Sequence, residues 1–88
     1  MIVKQLDNLR KKDSYLYYRN DYCADAVFEY GKNSNTEKAS VEFSIEKTAI
    51  GDTKINVLIN SSINYPMLPA MKTLKAFVMD MQTEGSLP

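Results

Sequence analysis

The chain has 88 residues, 44% of them hydrophobic and 25% charged, and its eleven cations balance eleven acids. This composition excludes a largely disordered chain, and the length leaves room for a single domain, 1–88, around one core. A net charge of zero gives no global attraction to nucleic acid or to an anionic membrane, and no run of eighteen apolar residues is present to cross a bilayer.

The charge is unevenly spread. Residues 1–20 hold five cations against two acids, a net of +3, whereas residues 21–60 hold seven acids against four lysines, a net of −3. Histidine is absent and Cys23 is the sole cysteine. No structural zinc site and no intramolecular disulfide can therefore form, and no cofactor is expected. A lone thiol and the lack of a secretion signal suit a cytoplasmic protein. A core this small is marginal, so self-association into a homo-oligomer is expected to support it.

Ile2, Leu6 and Leu9 recur at helical spacing among Lys4, Gln5, Asp7, Asn8, Arg10, Lys11 and Lys12, which predicts an amphipathic helix over 2–12. Ala24, Ala26, Phe28 and Tyr30 alternate as a strand that runs into the turn-rich residues 31–36. Leu9, Asp13, Leu16, Asn20, Cys23, Val27 and Tyr30 also fit one long helix. That alternative puts Asp13 and Asn20 in an apolar seam, and the tyrosine-rich composition favours strand. Val41, Phe43 and Ile45 alternate with serine and glutamate, and Ile55, Val57 and Ile59 do the same beyond Gly51 and Asp52, so the two runs predict a β-hairpin.

Met67, Leu68, Met71, Leu74, Val78 and Met81 trace an apolar stripe, with Lys72, Lys75, Asp80 and Glu84 turned away. Pro66 and Pro69 suit the first turn of this C-terminal helix, Asn64 is the expected cap, and Gly85 suits the left-handed C-terminal position. The expected fold is α+β: an N-terminal helix, a three-stranded antiparallel meander, and a C-terminal helix packed on one face of the sheet through Leu68, Met71, Leu74 and Val78. The alternative fold is a long N-terminal helix, a β-hairpin and the C-terminal helix. The helix–three-strand–helix order resembles that of double-stranded-RNA-binding domains in topology. That family opens its second helix with a lysine cluster, which Tyr65, Pro66, Met67, Leu68, Pro69 and Ala70 lack, so the resemblance brings no RNA-binding residue to this chain.

Chemistry is sparse. Asp21 with Asp25, and Glu42 with Glu46, are the acid pairs available for proton transfer or a hard cation, but such charges ordinarily sit on the solvent face of a strand or in a turn. Cys23 has no histidine to activate it. Gly31, Gly51 and Gly85 are too scattered to cradle phosphate and are explained as turns or a cap. No catalytic residue is assigned, and the chain is read as no enzyme.

Six tyrosines and five methionines exceed what a narrow core stripe needs, and both residue types suit partner surfaces. Tyr15, Tyr18, Tyr22, Met67, Phe77, Met79 and Met81 are accordingly the expected partner-binding residues of a small adaptor, inhibitor or chaperone-like module, whose protein partner the sequence does not identify. The alternative is a nucleic-acid-binding module in which Arg10, Lys11, Lys12 and Arg19 contact phosphate and the neighbouring tyrosines stack on bases.

Overall fold

The computed structural model describes residues 1–13 and 18–88. Four strands, β1 (Ile2–Lys12), β2 (Arg19–Tyr30), β3 (Asn35–Lys47) and β4 (Thr53–Ile59), form one antiparallel sheet in chain order, and α1 (Met67–Glu84) follows. Both expected folds are corrected here. Residues 2–12 are a strand rather than a helix, the sheet has four strands rather than three, and α1 is the one helix among the described residues.

The helical spacing in residues 2–12 has a different cause. Against β2, the register of β1 shifts by one residue between Val3 and Gln5 and again between Asp7 and Arg10. Each such bulge adds a residue between two positions facing the same way, so a spacing of two becomes three. Val3 opposes Phe28, Leu6 opposes Ala26, and Leu9 follows after the second bulge. All three meet the core. Asn8, at φ 54°, occupies the second bulge, a left-handed position that asparagine tolerates better than most residues. Ile2 faces outward and is exposed.

The register of β2 against β3 is unbroken from Arg19 opposite Glu46 to Tyr30 opposite Asn35. Period two therefore holds over the whole pair. Tyr22, Ala24, Ala26 and Phe28 share the inner face with Ala39, Val41, Phe43 and Ile45, and β4 adds Ile55 and Ile59. Tyr22 lies opposite Phe43 and stacks on it at 5.0 Å and 17°. The β3–β4 turn closes through Gly51, whose φ of 92° demands glycine and whose N–H donates to the Thr48 carbonyl at 2.9 Å.

One helix covers the inner face. Ala70, Leu74 and Val78, four residues apart, are fully buried, with Met71 and Phe77 packed at their sides. Leu68, expected in this contact, is 72% exposed. It stands about 120° around the helix from Leu74 at 3.6 residues per turn, beyond the reach of the sheet. At its start α1 follows Pro66 without a side-chain cap. The Asn64 backbone N–H, not its side chain, is engaged there, donating to Glu37 Oε2 at 3.0 Å. At the end, Gly85 turns left-handed at φ 73°, and the N–H groups of Gly85 and Ser86 reach the carbonyls of Gln82 and Met81 at 3.2 and 2.9 Å. This pair of reversed bonds is the Schellman arrangement, which satisfies two terminal carbonyls.

Truncating the centre of this contact tests the packing. Leu74→Ala is expected to cost about 2–5 kcal/mol, the usual range for a buried leucine, whereas Leu68→Ala and Lys75→Ala should lie within about 0.5 kcal/mol of wild type. Urea unfolding of the three variants checks this, and equal midpoints would mean the faces of α1 are assigned wrongly.

Candidate interaction surfaces

The outer face of the sheet is a lattice of opposite charges. Lys4 pairs with Glu29 at 3.3 Å, Lys38 with Asp7 at 3.1 Å, Arg19 with Asp21 at 2.8 Å, and Lys12 with Glu42. Asn8 adds a hydrogen bond from Nδ2 to Asp25 Oδ2 at 2.9 Å. Two of these ion pairs, Lys12–Glu42 and Lys38–Asp7, reach from β1 to β3 across the intervening β2. They join strands that share no backbone ladder. All are solvent-exposed, so salt screens them and each contributes little alone.

A depression of about 430 Å³ lies on this face, lined in part by Lys12, Arg19, Asp21, Glu42, Asn56 and Leu58. Its cations and acids already pair with one another. The hydrogen bond from Lys12, reinforced by one from Asn60 and by the ammonium charge, holds the Glu42 carboxyl below its ordinary range, and the same bond pushes the Lys12 ammonium above its own. Among the described residues, no three His, Cys, Asp or Glu side chains group as metal ligands. A second cavity of about 240 Å³ opens where the end of α1 meets the sheet, with Tyr18, Asn20, Ile45, Gln82 and Leu87 in its wall.

The expected site residues are not brought together. Tyr22 is 3% exposed, a core residue whose hydroxyl donates to the Pro88 carbonyl at 2.9 Å, and burial pushes its phenol above the ordinary value. It is withdrawn from any docking surface. Tyr15 lies outside the described residues. Tyr18 is exposed beside the second cavity, at the opposite end of α1 from Met67. Phe77 and Met81 are half-buried, Phe77 against the core, and Met67 and Met79 are exposed.

Of the basic cluster, Arg10 donates to the Asn8 carbonyl at 2.8 Å, while Lys12 and Arg19 face acids. Lys11 is exposed. The cluster closes a strand, so the helix-end placement read from the sequence is corrected as well.

The exposed side of α1 carries what the residue types alone did not separate. Leu68 and Met79 lie within about 20° of each other around the helix, and Lys72 and Lys75 fall between them along the same stripe. Leu68 was placed in the core because the apolar positions of α1 form more than one stripe. The other exposed aliphatic in regular structure, Leu58, projects from the outer face of β4 and carried no signal beyond an alternation that only pairing resolves.

These features define a small α+β domain, a four-stranded antiparallel sheet with one helix on one face and a charge-paired opposite face. No helix of the described residues is long and apolar enough to cross a membrane. The model of one protein family, whose name is an alphanumeric label that states no activity, matches residues 1–83, and the chain belongs to that family. No curated protein and no solved structure matches it.

The Lys12–Glu42 pair makes a pH prediction. Because the folded Glu42 carboxyl titrates below its unfolded value, the pair stabilises above the ordinary glutamate range, about pH 4.3, and its contribution is lost as the pH falls through the depressed folded value. NMR titration of the Glu42 carboxyl is expected to show its midpoint rise in Lys12→Ala. An unchanged midpoint would show that the pair does not form in solution.

Proposed function

We propose that this chain is a non-enzymatic protein-interaction module of the cytoplasm that self-associates and binds a further protein through the exposed side of α1. The observation that carries this reading is the stripe of Leu68, Lys72, Lys75 and Met79. The core stripe of Ala70, Leu74 and Val78 is complete without these apolar residues, so their exposure serves nothing in the fold. A leucine and a methionine flanking two ammonium groups fit a partner that offers an apolar patch with an acidic rim. The lone thiol Cys23 supports a reducing compartment. The open depression supports catalysis poorly, because its acids are neutralised by neighbouring cations rather than held as an unequal pair in a closed cleft.

A photo-crosslinking residue placed at Leu68 or Met79 in living cells is expected to give one discrete heavier adduct. The same residue at the exposed Lys32 should give none. Adducts that are absent, or identical at all three positions, would overturn the use of this face.

Nucleic-acid binding is the less supported reading, since Lys12 and Arg19 face acids and Glu42 and Asp21 place negative charge among them. Titration of labelled RNA and DNA at low salt is expected to show no binding by about 100 μM, weaker than ordinary non-specific association. Saturable, steeply salt-dependent binding lost in Arg10→Ala with Lys11→Ala would reverse this preference.

A further inference from the structure

The edge of a sheet presents a row of backbone N–H and C=O groups open to another strand, and proteins keep an edge solitary with bulges, charges and twisted residues. The two edges of this sheet differ sharply. β1 is interrupted by two bulges, holds Asn8 at φ 54°, and carries Lys4, Arg10, Lys11 and Lys12. β4 is regular: its register against β3 is unbroken from Thr53 opposite Lys47 to Ile59 opposite Val41, it contains neither glycine nor proline, and Lys54 is its one charge. Among the described residues, no backbone group pairs with its far edge.

We infer that β4 is the edge through which two copies of this chain associate, pairing antiparallel about a two-fold axis near Asn56 to join their sheets. The inference rests on the self-association proposed above and adds its location. Asn56 is the middle residue of Thr53–Ile59. Symmetric pairing about it sets Ile55 opposite Val57 of the second copy on the inner side, and Lys54 opposite Leu58 on the outer side. No like charges meet. The aliphatic stem of Lys54 lies along Leu58, which is 52% exposed in the single chain. α1 packs against β4 within each chain, so the joined inner faces are covered on both sides of the seam. Symmetric pairing of β1 about its middle residue, Asp7, would instead oppose Lys4 and Arg10. Like charges directly opposite are destabilising, so the self-complementary edge is β4.

Light scattering over a dilution series from micromolar to millimolar chain reads the outcome. The wild-type mass is expected to climb from 10.0 kDa toward twice that value. Asn56→Lys changes an exposed position and sets two ammonium groups face to face across the axis. It is expected to raise the dimer midpoint by at least about tenfold while leaving the thermal melt of the dilute monomer unchanged. Leu68→Glu with Met79→Glu should leave the midpoint where it was. A wild-type mass that stays at one chain throughout would remove self-association altogether and this assignment with it. A dimer that survives Asn56→Lys, whether or not the helix variant dissolves it, keeps self-association and overturns β4 as its edge.

Discussion

A single helix covers only one face of a four-stranded sheet, and that limit governs the rest of this molecule. Every strand must bring apolar side chains to the face beneath Ala70, Leu74 and Val78, and every charge must turn the other way. β2, β3 and β4 meet this demand by plain alternation. β1 meets it with two bulges that bring Val3, Leu6 and Leu9 round to the inner face. The alanines at positions 24, 26 and 39 keep the middle of that face shallow, and the larger Phe28, Phe43 and Ile45 fill it on either side.

The polar face follows from the same limit. Left without a second layer, it is occupied by charged side chains, and those of β1 and β3 meet over β2 as Lys12–Glu42 and Lys38–Asp7. The uneven charge of the sequence, positive early and negative in the middle, is the record of this pairing, because the cations of β1 and Arg19 meet acids at both short and long sequence separation. What remains unpaired by fold or charge is narrow: the outward stripe of α1 and the regular edge of β4. A protein with these two surfaces and a charge-balanced sheet is built for association more readily than for chemistry.

Much of the sheet was legible in the sequence wherever the register runs one to one. The alternation in residues 41–46 and 54–59 is the alternation of β3 and β4, and Ala24, Ala26 and Phe28 face inward together as a strand should. The first strand was not legible, for a definite reason: two bulges within eleven residues impose a spacing of three, which over so short a run is indistinguishable from one face of a helix. The position of Leu68 was lost for a related reason. Six apolar residues of α1 span more of its circumference than the sheet covers, and only the packing shows that the buried row is centred on Ala70, Leu74 and Val78. Tyr22 looked available for a partner because tyrosine suits both core and interface, and its stacking on Phe43 depends on a pairing register that composition does not carry.

The first strand is also where the account is most directly tested, since the one-sided core depends on its bulged register. Nuclear Overhauser contacts in the labelled protein distinguish the possibilities residue by residue. A strand requires cross-strand contacts from Val3 to Phe28 and from Leu6 to Ala26, with extended secondary shifts through residues 2–12. Sequential amide contacts and contacts three residues apart within 2–12, without any to β2, would mean a helix and would contradict the fold on which both interaction surfaces rest.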